Sequence, residues 1–277
     1  MSQAHEVMQV LLNRKSVRAY DRRPIGDEAK AAILRATLRA PTAGNLMLYS
    51  IIEVKDQAAK DTLAKTCDNQ PFIAKAPLVL LFLADYQRWW DYFAVSGVEA
   101  LARARGEPVR RPQEGDLMIA CCDALIAAQT AVIAAESLGI GSCYIGDIME
   151  NYETHRALFG LPQYALPICL VCFGYPTKQQ QERPLTPRFE EKFIVFEDAY
   201  RRLGESELRE MFQDREARFA RAREDGAAIH GLAAGGAASA AAPANVAQLM
   251  YLRKFTADFT REMTRSVRAM LRAWNGG

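Results

Sequence analysis

Gly139-Ile140-Gly141-Ser142-Cys143-Tyr144 closes a long apolar stretch that begins near Asp116, and it leads into Ile145-Gly146. The spacing of apolar residues predicts a helix over 116–138, with Asp116 as its N-terminal signal and Gly139 as its stop. Two glycines in this pattern begin the turn of a dinucleotide-binding domain. Tyr144, however, stands where the third glycine is required, and the glycines end a helix instead of opening one. Outward from this point, strands are predicted over 50–55, 78–84, 142–145 and 166–173, and further helices over 5–13 and 27–40. These elements do not alternate as a doubly wound parallel fold needs. The chain reads as α+β, with helices bracketing a small sheet.

At 277 residues, half of them apolar, the chain can bury a substantial core and reads as one large domain or a domain with an extension. A net charge of +2 is too small to indicate nucleic acid. No charged-then-apolar N-terminal segment is visible, and no uninterrupted apolar run reaches the roughly 18–20 residues of a membrane span, so a cytoplasmic protein without a membrane role is expected. Six cysteines read as reduced thiols. Cys169 and Cys172 have CxxC spacing, but on a strand positions three apart face opposite ways, which argues against a disulfide or a shared metal.

Four parts are drawn from the sequence: a core over 1–200, a helical extension over 201–225, an Ala/Gly-rich connector over 226–245 and an amphipathic helix over 246–277. Phe255, Phe259, Met263, Val267, Met270 and Trp274 form the apolar stripe of that last helix, opposite Arg253, Lys254, Arg261, Arg265, Arg268 and Arg272. So long a stripe needs cover, from a second subunit, from the rest of the chain or from a membrane surface.

Arg14-Lys15-Ser16-Val17-Arg18 sets three cations and a hydroxyl within five residues, a set that can grip a phosphate through charge-assisted hydrogen bonds. Pro41-Thr42-Ala43-Gly44-Asn45 breaks a helix and supplies a small loop whose backbone can approach a flat polar ring. Together they suggest a phosphorylated ring cofactor.

In order and spacing, these two segments, Asn69-Gln70-Pro71-Phe72-Ile73 with Ala76-Pro77, the run Gly139 to Gly146, and Tyr175-Pro176 resemble the FMN-dependent nitroreductase family over roughly residues 5–200. Tyr144-Ile145-Gly146 and Leu161-Pro162-Gln163-Tyr164-Ala165-Leu166-Pro167 look most like its oxygen-insensitive nitroreductases and flavin reductases. The resemblance implies a mostly antiparallel sheet in an intertwined homodimer, wrapped by the C-terminal helix. It implies FMN as cofactor and NAD(P)H as co-substrate, with ping-pong transfer to a small aromatic acceptor: a nitroaromatic, a quinone or a flavin.

By the same resemblance, Arg14, Ser16 and Arg18 hold the phosphate and pyrimidine side, and Lys15 acts through its backbone or on ring polar atoms. Pro41, Thr42, Ala43, Gly44 and Asn45 lie along the ring, and Asn69 or Gln70 bonds the ribityl chain or pyrimidine edge. Tyr144, Ile145, Gly146 and Asp147 offer backbone N–H groups near the reactive nitrogen. Arg183-Pro184-Leu185-Thr186-Pro187-Arg188 resembles a basic segment that closes over the phosphate, through Arg183 and Arg188. The chain departs from many relatives at Met47, where an amide is usual, and at Asp147.

No residue is read as a catalytic acid or base, since the cofactor carries the bond chemistry. His5, His155 and His230 have no evident partners and read as surface or capping residues, and no metal-ligand spacing is present. Tyr86 to Phe93 reads as an aromatic helix that packs beside the sheet or walls a pocket. Two alternatives stay open: another flavin enzyme of the superfamily (dehalogenation, enoate reduction or flavin breakdown), and a flavin-binding sensor that docks through its C-terminal helix.

Overall fold

Four strands, β1 (Tyr49–Glu53), β2 (Leu78–Asp85), β3 (Gly141–Ile145) and β4 (Ala165–Gly174), pair antiparallel in the order β1-β2-β4-β3. The structure, a computed structural model, describes residues 3–225 and 243–276. His230 and most of the connector read over 226–245 therefore lie outside the described residues, as does the side chain of His5. Each predicted strand is present within a few residues of its expected ends.

β2 and β4 are buried at every position, so both faces of the sheet need cover. It comes from α2 (Asp27–Thr37), α5 (Gln87–Val95) and α7 (Glu114–Ser137) on one face and from α3 (Gln57–Thr66), α4 (Phe72–Lys75) and α8 (Tyr152–Phe159) on the other, while α1 (Gln3–Asn13) packs on α7, α6 (Val98–Ala104) packs on α5, and α9 (Lys178–Glu182) has no buried residue. Alternation along the strands assigns the faces. Leu80, Phe82, Cys169, Val171 and Phe173 pack with Ile33 of α2 and the alanines of α7. Val79, Leu81, Leu83, Leu170 and Cys172 pack with Leu63 of α3, Ile73 of α4 and Ile148. Cys169 and Cys172 thus lie on opposite faces, and both are free thiols. Each fully buried side chain of this kind contributes about 1.5–3 kcal/mol.

α7 crosses the whole sheet, presenting Ala120, Ala124, Ala127, Ala128, Ala131 and Ala135 to it, and these small residues let helix and strands approach closely. By length and composition α7 could cross a membrane, although Asp123 interrupts its apolar run, as expected from the sequence. Its sheet-facing side is core; Met118, Ile119, Leu125 and Ile126 on the other side are exposed.

The chain forms two compact units, residues 1–185 with 262–277, and residues 186–261. In the second, α10 (Glu205–Glu224) and α11 (Val246–Met250) bury Phe219, Val246 and Leu249 together, and Arg215 stacks on Phe189 at 3.8 Å. The single helix predicted over 246–277 is corrected. α11 runs into a π-helical turn, Tyr251–Phe255, the chain bends at 256–257, and α12 (Asp258–Asn275) starts afresh. At the bend Thr256 donates to the Leu252 carbonyl at 3.2 Å and Thr260 to that of Lys254. The apolar stripe is therefore interrupted. Its C-terminal end is covered by its own chain: Trp274 is fully buried, edge-on to Tyr164 at 5.2 Å, with its indole N–H on the Gln113 carbonyl at 3.1 Å.

Candidate functional site

Residues 16–21 run along the edge of β3 and past the end of β4. Val17 N–H donates to the Ser142 carbonyl at 2.8 Å, and Asp21 N–H to that of Tyr175 at 2.9 Å. Gly141 permits the approach, since a Cβ there would lie 2.5 Å from Val17 Cγ2. Val17 is buried, whereas Arg14 and Ser16 are half-buried and Arg18 is exposed. The Lys15 ammonium donates to the carbonyls of Gln181 and Arg183, both at 2.5 Å, and Arg183 donates to the Ser16 carbonyl. Lys15 and Arg183 thereby tie the α9 segment onto the basic one.

Arg14, Arg18 and Arg183 all act on the buried Cys143 thiol: burial pushes its pKa up, while these cations and a hydrogen bond with Ser16 pull it down. Among the described residues none of the three arginines makes an ion pair. The carboxylate in this neighbourhood, Glu136 of α7, is half-buried and has its pKa raised by burial, with Arg14 and Lys15 opposing; Ser142 Oγ lies 3.4 Å from it. Guanidiniums gathered near Cys143, none held in an ion pair among the described residues, fit a phosphorylated ligand.

At the other end of β3, Tyr144 donates to Gln129 at 3.3 Å and Ile145 is buried in the core, after which Gly146–Met149 form an exposed-to-buried 3-10 turn. The turn after α3 reaches this point through two left-handed residues, Asp68 (φ 56) and Asn69 (φ 49). Gln70 donates from its side-chain amide to the Cys67 carbonyl at 3.0 Å and to Asp147 at 2.8 Å. Asn69 is exposed, and its side-chain amide makes no hydrogen bond among the described residues, while its backbone N–H donates to the Lys65 carbonyl at 3.3 Å. Glu150 is 3% exposed, and its pKa is pushed up to about 8, first by burial and then by Asp147, Asp68 and Glu262. His155, expected at the surface or as a cap, is fully buried: its ring nitrogens lie 2.7 Å from Thr66 Oγ1 and 2.8 Å from the Ile148 carbonyl, and burial lowers its pKa.

The Pro41–Asn45 loop is built around a residue that sequence reasoning missed. Asp123 of α7, 2% exposed, accepts from the Thr42 hydroxyl and from the N–H groups of Ala43 and Leu48, both at 3.0 Å. A signal was present: Asp123 is the one charge between Asp116 and Glu136, and a carboxylate in so apolar a helix must find donors.

One chain brings Arg14, Lys15, Ser16, Arg18 and Arg183 together at β3, and joins Gln70 to Asp147 at its other end. It does not bring Pro41–Asn45 to them. That loop precedes β1 on the opposite edge of the sheet, and its anchor Asp123 lies roughly 20 Å along α7 from Glu136, at 1.5 Å per residue. Arg188 belongs to the second unit, where it is exposed and donates to the Thr186 carbonyl at 3.0 Å.

Residues 11–175 match the model of the nitroreductase family. The chain is 31% identical over 184 residues to the NAD(P)H FMN reductase of Bacillus subtilis (strain 168), covering 66% of this chain and 71% of that protein. It is 29% identical over 201 residues to the oxygen-insensitive NADPH nitroreductase of Salmonella typhimurium, covering 73% and 77%. In fold it resembles the NADPH:FMN oxidoreductase from Vibrio harveyi solved with NAD+, with a TM-score of 0.73 at 22% identity over 96% of this chain and 98% of that one.

Proposed function

The chain belongs to the nitroreductase family, and from that premise we propose that it is an FMN-dependent NAD(P)H oxidoreductase, acting as a homodimer on small aromatic acceptors. The observation that carries this reading is the group of guanidiniums at the edge of β3 that make no ion pair among the described residues, continuous through that strand with the Gln70–Asp147 pair. Bound FMN would supply two-electron transfer, from NADPH or NADH in one half-reaction and to a nitroaromatic, quinone or flavin in the next.

The residues divide the work by chemistry. Arg14, Arg18 and Ser16 hold the phosphate, and Arg183 with Lys15 holds that segment in place. Asn69 and Gln70 present amides, and the turn beginning at Gly146 presents backbone N–H groups, to the polar edge of the ring. Fixed donors of this kind favour charge that builds on a bound ring without having to reorganise.

A second copy of the chain completes the site by bringing in residues 41–45. The homodimer is supported by the apolar side chains left in solvent: Val7, Met8, Leu11 and Leu12 on α1, and Met118, Ile119, Leu125 and Ile126 on α7, on which α1 packs. A patch of that kind needs cover, and a two-fold axis lets one patch cover its copy. Six free cysteines, four of them buried, suit a reducing compartment such as the cytoplasm.

The test is the visible absorption of the purified protein before and after anaerobic addition of NADPH, then NADH. Flavin absorption that bleaches with either nucleotide is the expected result. Protein that stays colourless and takes up no FMN would overturn the reading.

A further inference from the structure

Asp123 sits in α7 among Ala120, Ala124 and Ala127, and among the described residues it makes no ion pair. Its donors all come from one segment: the Thr42 hydroxyl and the N–H groups of Ala43 and Leu48. The Thr42 oxygen in turn accepts from Met47 N–H at 2.9 Å. A buried charge is costly unless every donor stays in place, so one carboxylate holds both ends of residues 42–48 as a set.

The conformation it holds is one the segment would not keep by itself. Gly44, Asn45 and Met47 are left-handed, at φ 54, 57 and 50, and only the first is a glycine. Side chains of α5 grip the carbonyls on the other side. Arg88 donates to those of Met47 at 2.6 Å and Tyr49 at 2.8 Å, and Trp89 to that of Leu46 at 2.8 Å. Asn45 is left exposed, with no hydrogen bond from its side-chain amide among the described residues. Residues in sparsely populated backbone regions that are held from both sides are characteristic of ligand clamps.

We infer that Asp123 is a positioning residue for cofactor binding: through Thr42, Ala43 and Leu48 it fixes residues 42–48 in the shape in which they meet the cofactor ring. The inference rests on the assignment of residues 41–45 to the FMN site.

Asp123→Asn tests it, because an amide nitrogen must then face one of the N–H or O–H donors. Two quantities are measured: hydrogen exchange of the Ala43, Met47 and Leu48 amides in flavin-free protein, and the FMN dissociation constant by fluorescence titration. Thr42→Val breaks the clamp from its other side and carries the test if Asp123→Asn does not fold; Thr42→Ser keeps the hydroxyl. The expected result is exchange at least tenfold faster at those amides, unchanged exchange in β2 and β4, and an FMN Kd at least tenfold higher, with Thr42→Ser close to wild type in both. An FMN Kd within twofold of wild type in Asp123→Asn or Thr42→Val overturns the inference, as does faster exchange that extends to β2 and β4. Wild-type protein that binds FMN keeps the functional reading intact when the inference fails; wild-type protein that binds none removes both.

Discussion

The side-chain amide of Gln70 donates to the Asp147 carboxylate at 2.8 Å, which ties the left-handed turn after α3 to the turn that follows β3. Asp147 also neighbours Glu150, whose carboxyl is buried close to Asp68 and Glu262. Each of these acids favours a proton on Glu150.

Glu150 should therefore make stability fall with rising pH. Its folded pKa, about 8, lies above the ordinary 4.5, so between those values the native state binds more protons than the unfolded state and loses stability as pH climbs. The slope from this one group is at most ~1.4 kcal/mol per pH unit. Glu150→Gln is neutral throughout, and its thermal midpoint, measured from pH 5 to 8.5, should lack this component. Parallel curves for variant and wild type would contradict the assignment.

Arg18→Ala should weaken FMN binding without weakening the fold. The side chain is exposed and makes no ion pair among the described residues, so stability should stay within about 0.5 kcal/mol. Loss of a charge-assisted hydrogen bond of about 1.5–3 kcal/mol corresponds to roughly a 10- to 100-fold rise in FMN Kd. Arg18→Lys should fall between, because an ammonium lacks the forked geometry. Fluorescence titration beside a melting curve separates the two effects.

Gly141→Ala should push residues 16–18 off β3. The added Cβ would lie 2.5 Å from Val17 Cγ2 and 2.9 Å from Val17 Cβ. Overpacking of this kind costs about 1–3 kcal/mol, and FMN affinity should drop with it. Val17→Ala in the same chain removes the nearer atom and should restore part of both. Urea unfolding of the single and double variants checks this, and additive effects would argue against it.

Trp274→Ala should destabilise by about 3–5 kcal/mol, since it empties a fully buried site and removes the bond to the Gln113 carbonyl. The edge-to-face chain Trp90–Tyr164–Trp274 would lose its last ring. A denaturant midpoint near that of wild type would mean that α12 is held elsewhere.

Much of this was legible in the residues. All four strands and the long helix followed from apolar periodicity, and the opposite facing of Cys169 and Cys172 from the two-residue repeat of a strand. The break at 256–257 was not legible, because the apolar stripe keeps its spacing of three and four across it. Nor was His155, whose burial depends on Thr66 and Ile148 from different elements.

The sequence by itself determined the elements, the basic segment at Arg14–Arg18 and the loop at Pro41–Asn45, because periodicity, charge and helix-breaking residues act within a few positions of one another. Only the tertiary structure decided which of these meet. It put Arg183 on Ser16, Gln70 on Asp147 and Thr42 on Asp123, and it separated Pro41–Asn45 from Arg14–Arg18 within one chain. The reason is physical: buried polar groups take the partners that helix-on-sheet packing brings within 3 Å, and that packing is set by the whole core rather than by neighbours along the chain.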